Sequence, residues 1–460
     1  MFCGFSVDCN AKISASEPYM MTMSGPKQAS YVFISGKNWR LSLAELVSFL
    51  EARGCVFKVT SVSREFFVVV SEEELDPRLV DGLGGIIKVG RVVSCIPAGT
   101  VEDAFVRGKE RAREEVRASL SADCGVDDVF GVSSGRYVFG VSVYFESPRF
   151  LRFSGRMQRF VGSYFKGELE SRGRRARFMG FPRSRGLPRL THVEVLKKGL
   201  VEKSAEVLFC VGREQAFVAK TVAVHDPFEF QKRDVGRPVQ RRIFSMPPRL
   251  AKIMVNLSLC LSGRVLVDPF CGVGTILQEA LLVGARVVGV DVDSWCVRAS
   301  RRNLDWLKKE YGLEGAEYKI VQGDARSLTE CVGEGSVDCV VTEPVLGPAL
   351  RGVPTESYAR RVVGGLEPLY FGFLGEAYRV LRGGGRLVLV TPCIRTRSGV
   401  FVSMRLEDRA AAVGFGTVCP FERRVFAEDN VLVEGLAGAS SFVDMEERHR
   451  IGREVRVFEK

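Results

Sequence analysis

The residues best suited to chemistry are four acidic side chains in the second half of the chain. Each of them follows a short hydrophobic stretch: Asp268, Asp291, Asp324 and Glu343. The stretches are mostly rich in valine, which is typical of buried strands in a parallel sheet. Ligands of open α/β sheets bind outside the carboxyl ends of the strands. One acid at a strand end is uninformative, but an acid at each of four consecutive strand ends predicts a ligand crevice lined by carboxylates.

The first of these acids opens a glycine-containing turn that leads into an apolar helix pattern. The turn reads Asp268-Pro269-Phe270-Cys271-Gly272-Val273-Gly274-Thr275. Glycines remove the Cβ atoms that would keep a ligand from the backbone, and a helix N-terminus offers free N–H groups. The spacing departs from G-x-G-x-x-G because Leu277 stands at the third glycine position, and no P-loop pattern is present. The alternative interpretation is an ordinary tight turn between strand and helix.

The next two acids predict a nucleoside ligand. An acid at the end of the second strand is the expected acceptor for a ribose diol, and Asp291 is the better candidate, with Asp293 second. Asp293 also fits a helix N-cap. Asp324, with Ala325 beside it, follows the third strand and is placed to accept a hydrogen bond from the exocyclic amine of adenine. Glu343-Pro344 follows the fourth strand.

The elements around these residues predict a multidomain α/β protein. The strand–helix alternation after the middle of the chain predicts a doubly wound Rossmann-like domain. A β-α-β-β-α-β order near the start predicts a ferredoxin-like unit, in which Ser42 caps a helix and Glu45 completes a capping box. A further α+β unit follows, in which Val193 to Leu196 is predicted as a strand. The predicted organisation is a disordered extension (1–30), a ferredoxin-like domain (31–98), an α+β domain (99–224), a linker (225–245) and the α/β domain (246–460).

Composition narrows the class of protein. The chain has 460 residues, 46% of them hydrophobic and 26% charged, which are values of a globular protein of about three domains. No apolar run reaches the length of a membrane span, and the first 30 residues lack a secretory signal pattern. The 13 cysteines and 3 histidines are scattered without zinc spacing. We therefore expect a cytoplasmic protein with no membrane segment and no metal.

Positive charge is concentrated in one part of the chain. The formal net charge is +11, and residues 151–200 alone contain 13 Lys/Arg against 3 Asp/Glu. Such a field is the usual footprint of nucleic-acid binding, although a solvated helix face is the alternative. The candidate nucleic-acid contacts are Arg156, Lys166, Arg174, Arg175, Lys197 and Lys198.

The turn at 268–275 resembles the D-P-F-x-G-x-G-T form of the first motif of class I S-adenosylmethionine-dependent methyltransferases that act on base amines. Segments 31–46, 233–238, 246–257 and 448–455 resemble the archaeal-type THUMP-domain tRNA guanine-N2-methyltransferases. The resemblance covers most of residues 31–460. It implies that residues 99–224 form a THUMP RNA-binding domain, and that the protein is a monomeric enzyme that methylates N2 of a tRNA guanosine, at position 10.

The resemblance also implies roles for the candidate residues. The residues around the methionine moiety of S-adenosylmethionine would be Asp268, Phe270, Gly272, Gly274 and Thr275. Asp291 and Asp293 would hold the ribose, and Asp324 and Ala325 the adenine. Glu343 and the carbonyl of Pro344 would be catalytic, because they would accept hydrogen bonds from the target amine.

One departure from the family pattern leaves alternatives open. The family's D-P-P-Y is here Glu343-Pro344-Val345-Leu346, so the carboxylate is one methylene longer and the stacking aromatic is absent. A methyltransferase acting on ribosomal RNA or on DNA adenine fits the first motif equally well. The other alternative is a non-catalytic RNA-binding relative whose fourth motif has eroded.

Overall fold

The structure is a computed structural model that describes residues 28–123, 125–131, 136–181, 186–202, 205–241, 245–427, 436 and 438–460. Most of the predicted extension, residues 1–27, lies outside the described residues, as do residues 182–185 of the basic segment. The first strand already begins at Ala29, inside the predicted extension.

The N-terminal half contains two α+β stretches. The first comprises β1 (Ala29–Ser35), α1 (Trp39–Ala52), β2 (Phe57–Val62), β3 (Phe66–Ser71), a 3₁₀ helix (Pro77–Gly82) and β4 (Ile86–Pro97). The second comprises α2 (Ala98–Phe105), α3 (Glu110–Asp123), α4 (Val126–Phe130), β5 (Tyr137–Phe145), a 3₁₀ helix (Pro148–Phe153), α5 (Ser154–Ser171), β6 (Ala176–Met179), α6 (His192–Lys197), β7 (Ala205–Val211) and β8 (Gln215–Val224).

The strands of both stretches belong to one continuous sheet. Its order is β2-β3-β1-β4-β8-β7-β5-β6. Strand β4 pairs antiparallel with β8 over nearly its whole length, from Lys88 opposite Val224 to Pro97 opposite Gln215. Buried phenylalanines of β5 and α5, such as Phe139 and Phe165, form a separate core beneath the second stretch. The two predicted N-terminal domains are therefore joined edge to edge through backbone hydrogen bonds.

Two local predictions in this half are wrong. Helix α1 begins three residues before Ser42, and its N-cap is Asn38, whose side chain accepts from Leu41 N at 3.4 Å. Ser42 lies inside the helix, with its hydroxyl 2.8 Å from the carbonyl oxygen of Asn38. The segment predicted as a strand at 193–196 is instead helix α6, because Thr191 caps it in a capping box with Glu194.

The C-terminal half alternates strands and helices. It comprises α7 (Pro227–Val235), α8 (Pro248–Leu257), β9 (Val265–Asp268), α9 (Thr275–Leu282), β10 (Arg286–Asp291), α10 (Ser294–Glu310), β11 (Tyr318–Gln322), a 3₁₀ helix (Ala325–Glu330), β12 (Val337–Thr342) and α11 (Glu356–Val380). It continues with β13 (Leu381–Arg395), β14 (Phe401–Ser403), α12 (Glu407–Val413), β15 (Gly416–Thr417), a 3₁₀ helix (Arg423–Val425), β16 (Ser441–Asp444) and β17 (Ile451–Glu459).

These strands form a mostly parallel sheet whose order reverses in the middle. The order is β11-β10-β9-β12-β13-β17-β15, with β14 and β16 attached to β13 and β17. Strands β9 to β13 pair in parallel, whereas β17 runs antiparallel to β13. The order turns around between β9 and β12, which makes this the switch point where open sheets leave a crevice.

Each face of this sheet has its own core, which confirms the doubly wound α/β prediction. Leu266 packs on one face with α9 and α10, and its neighbour Val267 packs on the other face with α11. This alternation is what a parallel strand covered on both sides requires. No helix in the described ranges is long and apolar enough to cross a membrane.

Buried polar contacts also join the C-terminal half to helix α1 and to the predicted linker. Glu45 of α1 is fully buried, and its carboxylate accepts from the backbone of Gly84 and Gly85 and from Asn256 of α8, at 2.6–2.7 Å. Its predicted role in a capping box is therefore wrong. The predicted linker contains helix α7, where Arg233 donates to buried Glu279 of α9 at 2.6 Å. The boundaries 98/99 and 245/246 remain predictions.

Candidate active site

The glycine turn after β9 leaves open backbone at the switch point. Gly272 and Gly274 have positive φ angles of 52° and 87°, a conformation that favours glycine. A Cβ on Gly274 would meet the hydroxyl oxygen of Ser300 at 2.9 Å. A Cβ on Gly272 would meet only the carbonyl oxygen of Phe270, at 4.0 Å, so this position leaves space next to the backbone. The Phe270 ring packs edge-on against Phe373 with centroids 5.4 Å apart, which fixes the turn to the core.

Asp268 is buried at the base of this turn and joins the two strands of the switch point. Its Oδ1 accepts from the hydroxyl of Thr342, the last residue of β12, at 2.7 Å and from Phe270 N at 3.2 Å. Burial raises the pKa of Asp268 to about 7, and the nearby carboxylates of Asp291 and Glu343 contribute to the rise. A positively charged ligand would therefore favour the ionised form of this side chain.

Asp291 shapes the turn from the end of β10. Its Oδ2 accepts from Gly272 N and its Oδ1 from Asp293 N, both at 2.9 Å. Asp293 is exposed and caps α10, because its Oδ1 accepts from Trp295 N at 2.8 Å. The N-cap alternative for Asp293 is thus the one its contacts favour, and its role toward a ligand stays a prediction.

Asp324 lies at the same sheet edge, beside Asp291. Residue Gly323 donates its backbone N–H to the carbonyl of Asp291 at 3.1 Å. Both Asp324 oxygens accept from the side chain of Arg326, with the shortest distance 2.6 Å, and these hydrogen bonds lower the pKa of Asp324. Ala325 is buried in the core behind it. An adenine amine would therefore share Asp324 with an arginine that the sequence reasoning did not assign.

Glu343 emerges from the carboxyl end of β12 and forms an ion pair with Arg453 of β17. The guanidinium donates through Nε to Oε2 at 2.5 Å and through Nη2 to Oε1 at 3.2 Å. Burial raises the pKa of Glu343, and Arg453 opposes that rise. Arg453 also reaches the carbonyl of Ser245 at 3.4 Å. Arg453 lies in the segment 448–455 that carries the family resemblance, but its sequence context does not predict this ion pair.

The segment after Glu343 contains side chains of different exposure. Pro344 is buried and the side chain of Val345 is 58% exposed, whereas Leu346, at the position of the family's aromatic, is half-buried. The hydroxyl of Tyr370 in α11 lies 3.2 Å from the carbonyl of Val345. The carboxylate and the ordered backbone of this segment provide hydrogen-bond acceptors, but no stacking ring.

A second arginine approaches the crevice from the segment after α7. Arg237 is 3% exposed, and it donates to the hydroxyls of Thr275 at 2.6 Å and Ser245 at 2.7 Å. Thr275 is the first residue of α9, so this guanidinium lies at the helix N-terminus. Arg237 precedes Pro238 in a segment predicted as a linker, and no local sequence pattern there predicts its hydrogen bond to Thr275.

The basic residues of the second N-terminal stretch differ in their exposure to solvent and in their ion pairs. Arg156, Arg175, Lys197 and Lys198 are exposed. Arg174 is half-buried and pairs with Asp127 at 2.7 Å, so it supports the fold.

Lys166 is exposed and pairs with Glu170 at 3.5 Å on the surface of α5. Arg174 and Arg175 line one groove together with Arg136. Within the described residues, no group of three or more His, Cys, Asp or Glu side chains is arranged to hold a metal ion.

The C-terminal half of the chain is similar to known methyltransferases. Residues 240–417 match the family model described as UPF0020, RMKL-like, methyltransferase domain. The tRNA (guanine(10)-N2)-dimethyltransferase of Methanothermobacter thermautotrophicus is 38% identical over 160 residues, which cover 34% of this chain and 42% of the relative. The enzyme of the same name from Methanocaldococcus jannaschii is 36% identical over 137 residues, covering 28% and 37%.

Among solved structures, TrmN from Thermus thermophilus aligns with 94% of this chain and 100% of its own chain, at 17% identity and a TM-score of 0.48. The matched region spans about two fifths of the length of the two curated relatives above. Residues 240–417 are thus similar to an RMKL-like methyltransferase domain, and part of the chain is similar to tRNA guanine-N2-methyltransferases.

Proposed function

We propose that this protein transfers a methyl group from S-adenosylmethionine to the N2 amine of a guanosine in tRNA. The observation that carries the proposal is the hydrogen bond across the β9/β12 switch point between Asp268 and Thr342, the residue before Glu343, beside an open glycine turn. The curated relatives are named for guanine 10, and we propose the same position here.

The residues at the crevice fit the cofactor. The space beside Gly272 admits a ligand to the backbone, and the turn with Gly274 and Thr275 would surround the methionine moiety. Asp268 would complement the charge of its ammonium group, Asp291 would accept from the ribose and Asp324 from the adenine. When bound, S-adenosylmethionine supplies an electrophilic methyl group.

The chain's own part in the reaction is to make the guanine amine a better nucleophile. The lone pair of this amine is delocalised into the ring, so its N–H groups need acceptors that draw density back to nitrogen. The Glu343 carboxylate can accept from N2–H and from the adjacent N1–H of guanine, and the Pro344 carbonyl is a second acceptor. The base must leave its stack to reach these groups. The amine proton can depart after the methyl has been transferred.

The N-terminal half would hold the RNA. We propose that residues 31–98 are a ferredoxin-like domain and residues 99–224 a THUMP domain. Exposed cations such as Arg156 and Arg175 would contact phosphates there. We further propose a cytoplasmic monomer. These assignments rest on the resemblance, on the α+β topology and on the concentration of positive charge.

The decisive experiment replaces the target nucleotide. Purified protein is incubated with methyl-labelled cofactor and with tRNA that carries either guanosine or inosine at position 10. Inosine lacks the N2 amine, so we expect label in the guanosine transcript only. Equal labelling of both transcripts would overturn the guanine-N2 assignment. Labelling of duplex DNA or ribosomal RNA instead of tRNA would favour the other substrate classes, and RNA binding without any labelling would favour a non-catalytic relative.

A further inference from the structure

Arg237 carries a positive charge in a buried place, and among the described residues no acidic side chain contacts it, since Asp234 acts on it only from a distance. Its two hydrogen-bond partners, the hydroxyls of Thr275 and Ser245, are neutral. Its Nε has no acceptor in the part of the chain that the structure describes, although the side chain is only 3% exposed. A guanidinium stays protonated at neutral pH, and an uncompensated buried charge is costly. Such a side chain therefore indicates an anionic ligand.

The surroundings of Arg237 favour an anion as well. Thr275 begins α9, and the N-cap Gly274 has no side chain to accept from the first turn of the helix. The positive end of the helix dipole and the guanidinium thus lie at the same spot. The neighbouring wall of the crevice is acidic, with Asp268 and Asp291. A ligand that carries a carboxylate and an ammonium group close together would satisfy both sides.

The segment that bears Arg237 is fixed in advance. Two residues later, the backbone N–H and carbonyl of Val239 are both bonded to the side-chain amide of Asn303 in α10, each at 2.9 Å. The same amide nitrogen of Asn303 donates to the carbonyl of Val273 in the glycine turn, at 2.8 Å. The arginine and the turn are therefore held together by one side chain, so a ligand would not have to order them.

We propose that Arg237, with the N-terminus of α9, binds the α-carboxylate of the methionine moiety of S-adenosylmethionine. This inference rests on the proposed function and adds to it a cofactor-binding residue from outside the glycine turn. It assigns the two charged groups on the α-carbon to different residues: the carboxylate to Arg237, and the ammonium to Asp268.

The test compares two ligands that differ only in the carboxylate. Calorimetry measures the binding of S-adenosylmethionine and of decarboxylated S-adenosylmethionine to the full-length wild type, Arg237→Gln, Arg237→Lys and the control Arg241→Gln. Arg241 lies on the same segment but is exposed. We expect the wild type and the control to prefer the carboxylated ligand by about tenfold or more. Arg237→Gln should lose that preference, and Arg237→Lys should keep part of it.

The outcomes separate this inference from the proposed function. Equal binding of the two ligands by the wild type would overturn the carboxylate assignment without any variant. The same holds if Arg237→Gln binds both ligands more weakly but keeps the wild-type ratio, because the arginine would then have only a structural role. If the wild type bound neither ligand, the cofactor itself, and with it the proposed function, would be wrong. Thermal melting of each variant confirms that it is folded.

Discussion

Glu343 and Arg453 form a two-point ion pair between the end of β12 and the last strand of the sheet, although 110 residues separate them in sequence. Their side chains are 11% and 14% exposed, so water screens the pair poorly. The pair holds a carboxylate that is one methylene longer than the family's aspartate. Without this guanidinium, a buried glutamate would tend to be neutral and could not serve as a double acceptor.

Replacing Arg453 should change the pH dependence of methyl transfer. Burial raises the pKa of Glu343, Asp444 adds to the rise, and Arg453 opposes it. In Arg453→Met the pKa of Glu343 should be higher, so the acidic limb of the kcat/KM profile should move upward by about one to two pH units. Arg453→Lys is the control and should move less. An unchanged profile in Arg453→Met would show that this arginine does not act through the carboxylate.

Glu343→Ala should abolish turnover and spare the cofactor. The carboxylate is proposed to act on the target amine, so we expect kcat to fall by at least about 100-fold. Calorimetry with S-adenosylhomocysteine should show nearly wild-type affinity. Loss of cofactor binding would mean that Glu343 belongs to the cofactor site. Glu343→Gln keeps the size of the side chain and should be nearly as inactive.

Asp268→Asn should stabilise the free protein while weakening cofactor binding. The pKa of Asp268 is about 7 in the folded protein, above its ordinary value of 3.8, so the folded state binds the proton more tightly. Stability from this group is therefore present below about pH 4 and is lost as the pH rises through 7, at a cost of about 4 kcal/mol.

Thermal melts at pH 5 and pH 8 check the Asp268 prediction. The gain in Tm of Asp268→Asn over the wild type should be larger at pH 8. Asp293→Asn serves as the control because Asp293 is exposed and the asparagine of the variant keeps an oxygen that can cap α10. The same gain at both pH values would contradict the elevated pKa.

His225 should make the protein less stable in mild acid. Its ring is buried against His192 with centroids 4.4 Å apart, and within the described residues neither of its ring nitrogens has a hydrogen-bond partner. Burial, with help from Arg249, lowers its pKa from 6.5 to about 3. Between these values only the unfolded chain takes up the proton, so the contribution of His225 to stability should fall by roughly 2 kcal/mol from pH 7 to pH 5, opposite in sign to that of Asp268.

Urea denaturation at pH 7 and pH 5 measures this effect. His225→Phe should retain more of its stability at pH 5 than the wild type does, whereas His449→Gln should not, because His449 lies outside this stack. If His225→Phe became as unstable as the wild type on acidification, other groups would account for the pH dependence.

Reversing exposed charges on the basic surface should weaken tRNA binding. We expect the double variant Arg156→Glu/Arg175→Glu to bind tRNA more weakly and to show a smaller dependence of log Kd on log salt, by about one unit for each phosphate that is no longer neutralised. The double reversal Arg107→Glu/Arg111→Glu changes the net charge equally at two exposed arginines outside the basic segment and is the control. Equal effects in the two proteins would point to net charge rather than to a specific surface.

The sequence predicted the C-terminal domain and its strand ends well because both depend on local patterns. The acids at 268 and 291 follow valine-rich strands, and their positions in the crevice follow from parallel pairing. The contacts of Arg453 and Glu45 were not predicted because their partners are distant in sequence and packing alone brings them together. The strand predicted at 193–196 failed for a local reason, since the Thr191 capping box outweighed the β-branched valines.

The placement of β17 beside β13 has a consequence for biosynthesis. The residues proposed to hold the donor, from Asp268 to Asp324, and Thr342, which binds Asp268, are all translated well before β17. The counter-ion of Glu343 emerges only with residue 453. In a nascent or truncated polypeptide that stops before residue 453, Glu343 would lack its ion-pair partner.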